Sequence, residues 1–218
     1  MSGNVKPRRR YESARRQEQA AQTRRDIVAA AGVCIRKRGY AATSMPEIAA
    51  EAGVAVETIY RTFGSKAGLF REVVQAAVAG GTSRADVPVE ERPTIRAVIE
   101  ERDPRRQLEL YAATQPGIHR RSGPLLRALR DAGSVDPDLR ALWREMEEWR
   151  LRGQGRMAGM LAERGLLRPG LSVDDARDIV WTLCSLAVYD LLVVERGWSS
   201  ERYREWISSS LAAALLPS

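Results

Sequence analysis

The sequence predicts an all-α fold, and three observations carry that prediction. Apolar residues return at three- and four-residue spacing along most of the chain. No segment alternates apolar and polar residues in the rhythm of a half-buried strand. Helix punctuation recurs, with Ser44, Asp136 and Ser172 placed to open helices and Gly39, Gly53, Gly64 and Gly165 placed to stop them. At 218 residues the chain fits one or two domains and buries a core without needing disulfides or metals.

The elements follow in order. Residues 1–18 carry Lys6, Arg8, Arg9, Arg10, Arg15 and Arg16 with almost no hydrophobes, which reads as a basic, disordered tail. Whether it adds phosphate contacts or only solubilises the chain stays open. The first helix spans 20–38, with Ile27, Ala30, Ala31, Cys34 and Ile35 on one face and Arg36, Lys37 and Arg38 in its last turn, where they complement the dipole. Ser44 with Glu47 three residues on forms a capping box for a short second helix, and Pro46 is tolerated in its first turn. A third helix runs from about Val56 to Phe63, and Ser65 caps a fourth that reaches Ala79. Gly and Pro break the pattern over 80–93. Helical segments follow at 94–101, 105–117 and 124–132, then two long ones at 137–164 and 172–196, and a last one at 199–215.

Charge is unevenly placed. Residues 1–70 hold 13 Lys and Arg against 6 Asp and Glu, whereas the remainder holds 22 of each. The whole net charge of +7 therefore sits in the first third, and clustered positive charge attracts a polyanion. Cys34 and Cys184 are far apart within apolar helical patterns and read as buried thiols of a reducing compartment. The N-terminus has no secretory pattern, and the apolar run from Ile179 to Tyr189 is too short to span a bilayer, so a cytoplasmic protein with no membrane partner is expected. The inventory argues against an enzyme. There is a single His, no metal-spaced Cys/His cluster, no phosphate loop and no nucleophile elbow, so no catalytic residue, metal or cofactor is expected.

Residues 43–70 hold the densest information. Two helices of about two turns joined by a glycine turn make a helix-turn-helix. Ala49 allows a close crossing, Gly53 supplies the positive φ of the turn, and Val54 and Ile59 plug the core. The second helix of the pair then presents Val56, Glu57, Thr58, Tyr60 and Arg61, and in this motif it enters the major groove. Arg24 in the first helix joins these as a candidate DNA contact.

The same stretch resembles the TetR family of regulators. Thr43, Ile48, Ala49, Ala52, Gly53, Val54, Thr58, Ile59, Tyr60, Phe63, Ser65, Lys66 and Leu69 match the family pattern, which covers about a quarter of the chain. The resemblance implies that Thr43 and Ser44 bond a DNA phosphate, that Tyr60 does so through its hydroxyl, and that Lys66 adds a charge contact. It places Val56, Glu57 and Thr58 where bases are read, with Arg61 beside them. Phosphate contacts set register and base contacts set preference. The chain departs from the pattern at Ala55, where Ser would cap the reading helix, and at Glu57, where Gly is frequent. A carboxylate there either accepts from a cytosine amino group or points to solvent.

The resemblance also implies a larger second domain that binds a small molecule and dimerises. The expected organisation is a tail at 1–18, a helix-turn-helix DNA-binding domain at 19–66, and a helical ligand-binding and dimerisation domain at 67–218. Candidate ligand contacts are Tyr111, Gln115 and His119 from one segment, Trp143, Met146 and Trp149 from the next, and Trp181, Cys184, Ser185 and Tyr189 from the third. They would suit a mostly apolar effector oriented by a few hydroxyl and amide groups. An apolar face of Ile179, Leu183, Leu186, Ala187, Leu191 and Val194, with Tyr203, Trp206, Ile207, Ser210, Leu211 and Ala214, is the expected homodimer interface. A symmetric dimer would suit a palindromic operator on double-stranded DNA. The expected function is a transcriptional repressor released by its ligand, and the alternative is a non-specific architectural DNA binder.

Overall fold

The computed structural model describes the backbone of residues 7–217 and the side chains from Ala14 to Pro217. Every regular element among them is helical. The helices are α1 (Pro7–Arg38), α2 (Met45–Ala52), α3 (Val56–Phe63), α4 (Lys66–Ala79), α5 (Thr82–Ala85), α6 (Pro93–Glu100), α7 (Pro104–Ala132), α8 (Pro137–Glu163), α9 (Val173–Leu183), α10 (Leu186–Tyr189) and α11 (Ser200–Leu215). A 3-10 turn covers Val89–Glu91, and a π-helical stretch covers Asp190–Glu195. The chain divides into two compact units at Ala76/Ala77, ten residues beyond the division expected from sequence.

In the first unit, α1 packs on α2 and α2 on α3. Ile27, Ala31 and Ile35 of α1, Ile48 and Ala49 of α2, Ile59 of α3, and Leu69, Phe70 and Val73 of α4 are buried together with Tyr40. The Tyr40 and Phe70 rings meet edge to face at 4.9 Å. The helical stretch begins earlier than expected, because α1 already runs through 7–18, the segment read as a tail. Nine of the twelve residues of that stretch are Arg, Glu, Gln or Ala, all good helix formers, and Arg25 reaches back to Glu18 at 3.1 Å. Lys6 and the residues before it, part of the expected tail, lie outside the described residues.

In the second unit, α7, α8, α9 and α11 form the main body, with α6 against α7. Leu108, Ala112, Leu125 and Leu129 of α7, Met157 and Leu161 of α8, Val180 of α9 and Ile207 and Leu211 of α11 are fully buried. The segments expected at 105–117 and 124–132 are one helix, with Pro116 and Pro124 inside it. Proline removes an intrahelical bond and normally breaks a helix. Here tertiary burial on both sides of each proline outweighs that cost. Arg121 of α7 donates from Nε to the Ala77 carbonyl (2.7 Å) and from Nη2 to the Val78 carbonyl (3.0 Å), closing the C-terminal end of α4.

The single helix expected at 172–196 is instead broken at Cys184–Ser185 and rewound as π from Asp190. Ser185 is the physical cause. Its hydroxyl accepts from the Val188 N–H at 3.2 Å and opens a new helix, a local bond that competes with helix continuation. Its own N–H goes to Thr182, so the Trp181 carbonyl has no helical donor and takes Arg150 Nη1 at 2.7 Å instead.

Candidate nucleic-acid interface and a buried polar cluster

The first site is built at the start of α2 and along α3. Ser44 has extended backbone and caps α2, and its N–H donates to Glu47 Oε2 at 2.8 Å, completing the capping box. Arg38 pairs with the same Glu47 carboxylate, tying the basic end of α1 to the cap. Gly53 follows at φ 66°, a left-handed turn that swings α3 across α2. Ala55 gives α3 no side-chain cap, as its sequence implies. Ile59 is fully buried, which fixes the opposite face outward: Tyr60 is 50% exposed, and Glu57 and Arg61 are exposed beside it. Val56 and Thr58 are half-buried at the helix start.

Besides Ser44, which is bonded to Glu47, three of the expected DNA contacts have structural partners. Thr43 is 1% exposed, and its hydroxyl donates to the Gly39 carbonyl at 2.8 Å, so it locks the turn between α1 and α2 and cannot reach a phosphate. The expectation for Thr43 is corrected on that ground. Arg24 pairs with Glu72 at 2.8 Å and lies 4.9 Å over the Phe63 ring. Lys66 sits at the first residue of α4, 4.4 Å over the Tyr40 ring and 3.4 Å from the Ala41 carbonyl, and partial burial lowers its pKa. Sequence reasoning missed Gly68. A Cβ there would lie 2.2 Å from the Phe63 carbonyl oxygen, so only glycine lets α4 start against the end of α3.

The second site lies in the second unit. His119 of α7, Tyr189 of α10 and Tyr203 of α11 form a ring cluster, with centroids 5.0 Å apart for His119–Tyr189, 5.2 Å for Tyr189–Tyr203 and 6.4 Å for His119–Tyr203. Burial, then the Arg150 charge, pushes the His119 pKa down to about 4, against a backbone bond to Cys184 that raises it and Arg127, which lowers it further. Burial pushes the Cys184 thiol up to about 12 and lifts the Tyr203 and Tyr111 phenols. Arg150 lies 4.6 Å over the Trp181 ring, paired with Glu147 at 2.7 Å. Among the described residues, four buried polar atoms find no partner: His119 Nε2, Gln154 Oε1, Trp181 Nε1 and Tyr203 Oη.

Of the expected ligand contacts, His119, Tyr189, Trp181, Cys184 and Tyr111 are brought together through these rings and charges. Gln115 is buried and donates to Thr114 at 3.0 Å. Ser185 is spent as a helix cap. Met146 is core, and no ring contact among the described residues ties half-buried Trp143 or Trp149 to the cluster. Tyr203, Ile207 and Leu211, expected at a dimer face, are fully buried within the unit. Sequence reasoning missed Arg150 and Gln154, which follow Met146 at one- and two-turn spacing on the inward side of α8.

The geometry of the first unit defines a helix-turn-helix of the kind that reads duplex DNA. Residues 27–73 match the family model described as bacterial regulatory proteins, tetR family, and the match runs from the middle of α1 through the helix-turn-helix into α4. No curated protein matches the chain. Similar solved structures agree in fold. One is a TetR-family transcriptional regulator from Mesorhizobium loti, 24% identical, covering 89% of this chain and 95% of that one at a TM-score of 0.64. Another is the regulator FadR from Bacillus subtilis in complex with stearoyl-CoA, 19% identical, covering 85% and 96% at 0.63. A third is a transcriptional regulator from Saccharomonospora viridis in complex with choline, 20% identical, covering 90% and 99% at 0.62. No described helix is long and apolar enough to cross a membrane.

Proposed function

We propose that the protein is a homodimeric repressor that binds a palindromic operator and is released from it by a small molecule held in the second unit. The exposed face of α3, with Tyr60, Glu57 and Arg61 outward while Ile59 anchors the helix, carries the DNA-reading half. Tyr60 and Lys66 meet phosphates, Ser44 presents the capped start of α2 to another, and Val56, Glu57 and Thr58 face base edges. The basic end of α1 raises the local potential. Two similar folds hold an acyl-CoA and choline, which supports a ligand-holding second unit without naming the ligand. Ala187, Leu191 and Val194 remain exposed and are the part of the expected interface left to pair with a second copy. Such a regulator acts in the cytoplasm.

The test is selection of bound sequences from a random duplex pool, with the double variant Tyr60→Phe, Lys66→Ala as control. A palindrome enriched by the natural chain and lost with the variant is expected. Binding without an enriched motif, fading steeply with salt, would overturn this reading in favour of an architectural DNA binder.

A further inference from the structure

We infer that the buried cluster around His119 and Tyr203 is a binding site for an uncharged, hydroxyl-bearing aromatic compound, whose hydroxyl donates to His119 Nε2 and accepts from the Tyr203 hydroxyl. The inference deepens the ligand-responsive reading above and rests on it for any consequence at DNA, though not for the binding itself.

Four observations carry it. First, His119, Gln154 and Tyr203 are 4%, 8% and 0% exposed, yet each holds a polar atom without a partner, as does Trp181 on α9. An unsatisfied buried polar group is costly, and each one in a native structure calls for an explanation. Here four helices contribute one each. A single trapped water has about three bonds to give and no apolar surface to cover.

Second, the hydrogen-bond polarity is defined. Nε2 is the unpartnered nitrogen of His119, so the backbone bond to Cys184 belongs to Nδ1. That bond favours the protonated ring, so Nδ1 is the donor, and Nε2 of the neutral ring presents a lone pair. Gln154 Oε1 is a second acceptor, the Trp181 indole N–H a donor, and the Tyr203 hydroxyl serves either way. A hydroxyl matches an acceptor and a donor at once.

Third, the site offers no free charge. Burial holds the imidazole, the Cys184 thiol and the Tyr111 and Tyr203 phenols in their neutral forms at neutral pH. The Arg150 cation is committed to Glu147 and to the Trp181 carbonyl. A carboxylate or an ammonium entering here would give up its hydration without gaining a partner. The His119, Tyr189 and Tyr203 rings meet one another through faces and edges, the geometry in which a further flat ring stacks or packs edge-on.

Fourth, the wall that carries Tyr189 is irregular on both sides. The helix breaks at Cys184–Ser185 just before it and winds as π from Asp190 just after it. Such π turns recur at functional sites.

The experiment uses the full chain and four probes in titration calorimetry: 2-naphthol, its saturated analogue decahydro-2-naphthol, 2-naphthoate and naphthalene. We expect 2-naphthol to bind once per chain, at least tenfold tighter than the other three. Tyr203→Phe, which keeps the ring and removes only the hydroxyl, weakens it about tenfold, and His119→Phe does the same. Thermal melts confirm that both variants fold. Absence of 2-naphthol binding, equal or tighter binding of 2-naphthoate, or affinity unchanged by both substitutions would each overturn the inference. Release of selected duplex is followed in parallel. Selective binding without release supports the site and removes the ligand-responsive reading. Release by 2-naphthol that ignores both substitutions overturns the site.

Discussion

The two units differ in how completely they satisfy the polar groups they bury. In the first, Thr43 is a polar side chain taken fully inside, and its hydroxyl donates to the Gly39 carbonyl at 2.8 Å. In the second, His119, Gln154, Trp181 and Tyr203 each bury an atom that has no partner. A reading head needs one geometry, and saturated hydrogen bonds specify it. The second unit keeps hydrogen-bond capacity in reserve and pays in stability for doing so. The contrast also runs through the backbone: in the first unit α2 starts at the Ser44 cap and ends at the Gly53 turn that its sequence marks, whereas the second has prolines inside a helix, a break and a π stretch.

The contrast can be tested from its largest effect downwards. His119 has a pKa of about 4 in the fold and 6.5 when free. Between these values the unfolded chain binds a proton that the folded unit does not, so stability falls as pH drops from 6.5 to 4 and is untouched above 6.5. The loss is at most ~3 kcal/mol. Denaturant melts across this window should lose that component in His119→Phe, and identical pH profiles for the two chains would refute it. Gly68→Ala forces a Cβ against the Phe63 carbonyl and should cost ~2 kcal/mol through overpacking, read as a lower melting temperature of the first unit. Thr43→Val keeps the shape but leaves the Gly39 carbonyl unpaired, and chemical denaturation should show a loss of ~1–2 kcal/mol. Tyr203→Phe removes an atom that has no partner and should be neutral or stabilising by under ~1 kcal/mol in the ligand-free chain. A destabilisation as large as that of Thr43→Val would erase the contrast.

The first unit was legible because its information is local. The Ser44 cap, the Gly53 turn and the exposed Tyr60 follow from spacings of three to ten residues, and the structure repeats them. Thr43 was misjudged because its neighbour Ser44 holds the cap, and burial of the preceding residue depends on the α1–α2 turn. The second unit was legible only in part. His119, Trp181 and Tyr189 were picked out as polar groups on apolar faces, and the ring contacts join them. Tyr203 was assigned to an interface because periodicity gives an apolar face and not the element that covers it. Arg150 carries no local signal in the sequence; its partners, Glu147 apart, are the Trp181 ring and a carbonyl freed by a helix break 31 residues away. The single helix over 104–132 was not legible as one, because it keeps Pro116 and Pro124 inside it, and packing on both sides offsets the cost of each proline.

The Arg121 fork has a consequence in the time domain. The last turn of a helix ordinarily frays fastest, since its carbonyls lack intrahelical donors. At the end of α4 the Ala77 and Val78 carbonyls are held by one guanidinium from α7. The lifetime of that turn is therefore set by how long a side chain 43 residues further along the chain stays in place. A displacement of α7 is converted into a change in how often the end of α4 opens, and amide exchange at residues 79–82 is the clock on which it registers.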